Sequence, residues 1–131
     1  MTLLTVMVVD DSEADHFICN HTLKKYNPDI NIIAAYDGQE ALEILAAADV
    51  HPQVIFLDIN MPRMNGHEFL EKYSEIYGEK NCSVVVMLTS SDQENDKQQS
   101  MAYNAVVDYF TKPLSIKAID TLCDENKNIC N

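Results

Sequence analysis

Residues 54–58 read Val-Ile-Phe-Leu-Asp: four consecutive apolar side chains that stop at a carboxylate. A strand on a sheet with one wet face alternates apolar and polar residues, whereas a strand that is apolar at every position belongs to a sheet covered on both faces, as parallel strands flanked by helices are. Four more segments rich in β-branched and aliphatic residues recur at near-regular intervals, Thr5 to Val9, Asn31 to Ala35, Val84 to Leu88 and Val106 to Phe110. Most are continuously apolar as well.

Helical periodicity fills the intervals. The first interval places Ala14, Ile18, Thr22 and Tyr26 at a spacing of four, with Cys19 and Leu23 alongside, and stops near Asn27-Pro28. The second follows the Asp37-Gly38 turn, turns Ala41, Leu42, Ile44, Leu45 and Ala48 inward, and ends before His51-Pro52 because Pro disfavours helix at the preceding residue. The third runs from Gly66 to Tyr77 with Phe69, Leu70, Tyr73 and Ile76. The fourth, Gln93 to Asn104, is mostly polar, has Met101, Ala102 and Tyr103 as its apolar anchors, and is the least securely packed. The fifth starts after Pro113, is capped by Ser115, and carries Ile116, Ile119 and Leu122. Strand and helix thus alternate five times. That order implies an α/β fold, a single-domain (βα)5 doubly wound parallel sheet with helices on both faces.

The chain's 131 residues and 14.8 kDa leave room for one core, which excludes a two-domain enzyme, and its 47% apolar content excludes intrinsic disorder. A net charge of −12 repels phosphate backbones and anionic headgroups, so direct nucleic-acid binding and membrane attachment are not expected. The apolar runs are too short to span a bilayer and no signal peptide opens the chain, which makes the cytoplasm the expected compartment. Cys19, Cys82, Cys123 and Cys130 form neither a CxxC pair nor a zinc pattern; Cys19 and Cys82 are expected to pack as small hydrophobes. His16, His21, His51 and His67 are scattered and read as ordinary helix or loop residues.

In open parallel sheets ligands bind beyond the carboxyl ends of the strands. There the first strand stops at Asp10-Asp11, the third at Asp58, the fourth at Thr89-Ser90, and the fifth is followed by Lys112-Pro113. Singly, each has an ordinary explanation as a helix cap, a loop hydrogen bond or a solvated charge. Together they form an acidic cluster beside a lysine and a hydroxyl. Such a cluster is relieved by a hard divalent cation, and metal and Lys can neutralise a phosphoryl group while a carboxylate serves as the nucleophile.

Five motifs in order carry a resemblance to the receiver domains of two-component response regulators: Val8-Val9-Asp10-Asp11-Ser12, Asp37-Gly38, Leu57-Asp58-Ile59-Asn60-Met61-Pro62 with Asn65-Gly66, Leu88-Thr89-Ser90-Ser91, and Tyr109-Phe110-Thr111-Lys112-Pro113. The likeness covers about residues 4–123 and is to the stand-alone, CheY-like kind; the Ser12 to Asp15 start, the Thr89 to Asp92 run and the long Gly78 to Ser83 connection resemble receivers that partner phytochrome-type kinases. It implies a flavodoxin-like sheet with strand order 2-1-3-4-5.

The same resemblance implies that Asp58 is the phosphoacceptor, taking a phosphoryl group from the phosphohistidine of a sensor histidine kinase in a reaction dependent on Mg2+, with Mn2+ as a substitute. It makes Asp10, Asp11, Asp58 and the backbone carbonyl of Asn60 the metal ligands, Thr89 and Lys112 the phosphoryl partners, and Thr89 and Tyr109 the switch pair. Asn60 and Ser91 would tune dephosphorylation. Pro62, Gly66 and Pro113 would be structural, with Lys112-Pro113 in the cis form. The expected whole is a single receiver domain over residues 1–131 without an output domain, acting as a phosphoacceptor and not as an enzyme on other substrates. Its partners would be a sensor histidine kinase or a histidine phosphotransfer protein and a downstream protein target, and its state a monomer or a phosphorylation-dependent homodimer. Two other readings fit parts of the pattern: a haloacid-dehalogenase-like phosphohydrolase, whose nucleophile however lies in a DxD motif after the first strand, and a pseudo-receiver scaffold, against which the intact Asp10, Asp11, Asp58, Thr89 and Lys112 set stands.

Overall fold

The computed structural model describes residues 3–78 and 83–126. Among the described residues the order is β1 (Thr5–Val9), α1 (Glu13–Tyr26), β2 (Asn31–Ala35), α2 (Gly38–Ala47), β3 (Val54–Leu57), α3 (Gly66–Tyr77), β4 (Val84–Thr89), α4 (Glu94–Met101), β5 (Val106–Thr111) and α5 (Ile116–Glu125). Every strand lies where its apolar run predicts, and β4 and β5 extend one residue further to take in Thr89 and Thr111. All pairings are parallel, in the order β2-β1-β3-β4-β5. The switch point falls between β1 and β3, where chain connections leave in opposite directions and open a crevice.

The continuous apolar runs are used on both faces. Val6, Val8, Val54, Phe56, Val86 and Leu88 pack with Cys19 and Leu23 of α1 and Ile119 and Leu122 of α5. The residues between them, Met7, Val9, Ile55, Leu57, Val85 and Met87, pack with Ala41 and Leu45 of α2 and Phe69, Leu70 and Tyr73 of α3. Register then fixes the edge: Val9 lies opposite both Ala35 and Leu57, and the ladder continues one step through Asp10 N–H to Ala35 O (3.0 Å) and Asp58 N–H to Val9 O (3.0 Å). Asp10 and Asp58 leave the sheet side by side.

Helix starts follow their caps. Ser12, Asp37, Asn65 and Ser115 each accept a first-turn backbone N–H, and Glu68 returns a bond to Asn65 to complete a capping box. The buried stripe of α1 is corrected, however: it is His16, Cys19 and Leu23, whereas Ala14 and Ile18 are exposed, because His16 reaches inward to bond two carbonyls and so rotates the helix off the purely apolar face. The anchors of α4 are corrected too. Met101 and Ala102 are exposed and Tyr103 is half-buried, while Ser100 is the residue α4 buries. On α3, Ile76 is exposed.

Cys19 and Cys123 are buried free thiols. Cys82, Cys130, residues 79–82 of the Gly78 to Ser83 connection and residues 127–131 lie outside the described residues. Among those described, no helix is long and apolar enough to cross a membrane.

Candidate functional site

Four chain segments converge at the carboxyl edge of β1, β3, β4 and β5. Asp10 is buried at the end of β1; its Oδ1 accepts the Ser12 N–H at 2.9 Å and its Oδ2 lies 2.6 Å from Lys112 Nζ. Asp58 is buried at the end of β3, with Oδ1 accepting the Ile59 N–H at 2.8 Å and Oδ2 accepting from Lys112 Nζ at 3.1 Å. Asp11 is exposed beside them. Asp10, Asp11 and Asp58 can each present one carboxylate oxygen within 4.8 Å of the other two, and among the described residues these three form the group that could hold a metal ion.

Lys112 is placed by the sheet. Its N–H extends the ladder to Thr89 O at 2.8 Å, and the Lys112-Pro113 bond that follows is cis. Its ammonium also reaches Asp15 Oδ2 at 2.8 Å, a partner that the motif reading did not include. The signal was present in the sequence: Asp15 stands in the first turn of α1, where side chains tilt back toward the helix start and so toward the strand edge.

Three carboxylates, those of Asp10, Asp15 and Asp58, therefore contact one ammonium, with Asp11 beside them. Burial works against the charge of Lys112, but Asp10, Asp15 and Asp58 outweigh it and its pKa is raised. Burial is also the largest influence on Asp10; it pushes the carboxyl above the ordinary range, Asp58 adds to the push, and the bonds from Lys112 and Ser12 only partly oppose it. The cluster is left with surplus negative charge packed into oxygen donors. That donor set fits a hard, oxygen-seeking divalent cation such as Mg2+.

The segment after Asp58 is held close. An added Cβ at Gly66 would stand 2.3 Å from Asp58 O and 2.9 Å from Ile59 Cα, so only glycine admits this approach, and the Gly66 N–H bonds Ile59 O at 2.8 Å. Arg63 occupies the left-handed region (φ 60°) and forks onto Asp37, Nε to Oδ2 at 2.9 Å and Nη2 to Oδ1 at 3.1 Å, while Gly38 N–H bonds Met64 O. Asn60 and Pro62 are exposed on this segment.

Thr89 is fully buried at the end of β4, and its Oγ1 accepts the Ser91 N–H at 3.3 Å. Ser91 Oγ donates to Asp96 Oδ2 at 2.6 Å, and the half-buried Tyr109 donates its phenol hydrogen to Ser91 O at 2.8 Å. Burial raises the Tyr109 pKa, the Ser91 bond opposing and nearby Asp96 adding to it.

His16, His51 and His67 stay outside the carboxylate group but each bonds elsewhere, while His21 is exposed. His16, buried, sets Nε2 2.8 Å from Asp10 O and 3.2 Å from Ala35 O, tying the ends of β1 and β2 to α1; His51 Nε2 lies 3.0 Å from Leu45 O; His67 Nε2 lies 3.3 Å from Asp96 Oδ1. Sequence reading saw no role for His16, and nothing local to position 16 announces one.

Known proteins place this geometry in context. The family model of the response regulator receiver domain matches residues 6–124. The chain is 38% identical over 112 residues to protein PilG of Pseudomonas aeruginosa, covering 86% of this chain and 78% of that one. It is 31% identical over 117 residues to the sensor histidine kinase CheAY of Helicobacter pylori, covering 89% of this chain and 14% of that one. It spans less than half the length of several other curated relatives it matches. Among solved structures, a two component response regulator from Cytophaga hutchinsonii superposes with a TM-score of 0.88 at 28% identity, covering 98% of this chain and 99% of that one.

Proposed function

The chain belongs to the response regulator receiver domain family, and from that premise we propose that it accepts a phosphoryl group on Asp58 and switches a protein-interaction surface in response. One observation carries the reading: a buried Asp58 carboxylate with two further carboxylates within 4.8 Å and the Lys112 ammonium at 3.1 Å. Mg2+, or Mn2+ in its place, would be held by Asp10, Asp11, Asp58 and the Asn60 carbonyl and would supply positive charge to the incoming phosphoryl oxygens.

The chain's own residues do the rest. A carboxylate oxygen of Asp58 attacks phosphorus; as the new O–P bond forms, the P–N bond to a kinase histidine breaks and the electron pair leaves with the imidazole. Lys112 stays protonated, as its raised pKa favours, and pairs with the charge of the transferring group. Thr89 turns its hydroxyl to a phosphoryl oxygen, and Tyr109 follows through the Ser91 segment to which both are bonded. Asn60 and Ser91 set how readily water removes the group. Pro62, Gly66 and Pro113 shape the backbone around it. The donors are a sensor histidine kinase or a histidine phosphotransfer protein, and the output is a changed α4–β5–α5 surface for a downstream protein, a phosphorylation-dependent homodimer, or onward relay.

A haloacid-dehalogenase-like hydrolysis would place the nucleophile in a DxD motif after β1, where this chain instead carries the adjacent pair Asp10-Asp11. The test is intact mass after incubation with Mg2+ and acetyl phosphate. The wild type is expected to gain one phosphoryl adduct, stable in acid and lost in base, and Asp58→Asn none. An adduct retained in Asp58→Asn moves the acceptor elsewhere; no adduct, with the donor unconsumed, supports a scaffold that does no phosphotransfer.

A further inference from the structure

α4 lacks an apolar face with which to hold itself on the domain. Its sequence, Glu-Asn-Asp-Lys-Gln-Gln-Ser-Met, buries the Ser100 side chain alone, and Gln93 at its start makes no side-chain cap bond. The tie at its N-terminal half is polar. Asp96 Oδ2 accepts from Ser91 Oγ at 2.6 Å and Oδ1 lies 3.3 Å from His67 Nε2 on α3. Both partners are largely withdrawn from water, with side chains 15% exposed at His67 and 26% at Asp96, so solvent screens this contact less than it would an open surface pair.

Ser91 carries the tie to the acidic site. Its N–H donates to Thr89 Oγ1 at 3.3 Å and its carbonyl accepts from Tyr109 at 2.8 Å, so a shift of Thr89 toward Asp58 pulls on the residue that Asp96 grips. A contact made in one of two conformations biases the equilibrium by its full worth toward that conformation.

We infer that Asp96 and His67 form a latch that holds α4 in the unphosphorylated arrangement and restrains phosphorylation at Asp58, acting as positioning residues through Ser91. The inference rests on the reading of Asp58 as phosphoacceptor. Its size is that of one charge-assisted hydrogen bond, a factor of about ten in the equilibrium between the two arrangements.

The test has two readouts on the full chain, one of which needs no phosphoryl group. Amide hydrogen exchange followed by mass spectrometry is expected to run about tenfold faster over α4 in Asp96→Ala than in the wild type, with β1 and β3 peptides unchanged. The acetyl phosphate concentration for half-maximal labelling in Mg2+ is expected to fall by about the same factor, and Asp96→Asn, which keeps an acceptor oxygen for Ser91, to lie between. His67→Ala, which removes the α3 side of the tie, guards against a poorly folded Asp96→Ala and is expected to shift both readouts in the same direction. Unchanged α4 exchange in both Asp96→Ala and His67→Ala overturns the latch. Faster exchange with an unchanged donor requirement overturns its link to phosphorylation. Faster exchange in a chain that never labels overturns the phosphoacceptor reading and leaves the mechanical tie standing.

Discussion

Asp10 and Asp37 are both largely shielded carboxylates near strand ends, yet their surroundings pull them in opposite directions. Asp10 is dominated by burial among other acids and sits above its ordinary pKa, whereas at Asp37 the same desolvation is outweighed by the Arg63 fork and the Glu40 N–H, which together lower it. A carboxyl whose folded pKa is depressed adds stability that is present above its unfolded value, about 4, and is lost as pH falls through the lower folded value. Thermal midpoints measured across pH should therefore separate wild type from Arg63→Ala at neutral pH, and the gap should close as the pH drops below about 4 and the Asp37 carboxyl takes up its proton in both. A gap that persists unchanged in acid would mean that Arg63 acts by packing or by its left-handed backbone and not by its charge. The same scale shows what the sequence made legible: Asp10, Asp58, Thr89 and Lys112 stand at or just beyond the ends of strand runs, Asp15 carried a weaker signal in its place in the first turn of α1, and His16 none, because the Asp10 and Ala35 carbonyls meet it only once α1 is packed.

At the scale of elements, local chemistry made boundaries legible and tertiary choice hid faces. Helix starts at Ser12, Asp37, Asn65 and Ser115 follow from side chains that cap their own first turn, so they could be read without the fold. The buried stripe of α1 could not, because a histidine bonded to backbone carbonyls displaced the apolar side chains that periodicity favoured. α4 is the same lesson in stronger form: with no apolar stripe to read, its seat depends on Ser100, Tyr103 and the Asp96 tie, all of them tertiary. The approach of α3 to β3 gives the sharpest prediction at this scale. Gly66→Ala places a methyl group against the backbone of Asp58 and Ile59, which cannot move aside as a side-chain end would, so a loss of about 1–3 kcal/mol is expected from overpacking. The displaced segment carries Asn60, and Mg2+ affinity should weaken along with the thermal midpoint. A variant that is destabilised but binds Mg2+ as the wild type does would separate the scaffold role of Gly66 from the site.

For the whole molecule the governing quantity is charge. A net −12 makes the folded chain repel itself, and Asp10, Asp11, Asp58 and Asp15 concentrate part of that charge at one edge of the sheet, against a single Lys112. Any salt would relieve the first effect by screening; only a cation that occupies the carboxylate group would relieve the second. The two can be told apart. A ligand that binds the native state alone stabilises it by RT ln(1 + [L]/Kd), about 1.4 kcal/mol at ten times Kd, which for a domain of this length raises the thermal midpoint by about 4–6 °C. Mg2+ is expected to produce that rise over and above NaCl at matched ionic strength, and Asp11→Asn, exposed and therefore tolerant of substitution, is expected to remove most of the excess while leaving the NaCl response intact. If matched NaCl reproduces the whole rise, the acidic edge is only a concentration of repulsion. If the excess survives Asp11→Asn, the cation is held by other oxygens, and the three-carboxylate assignment fails.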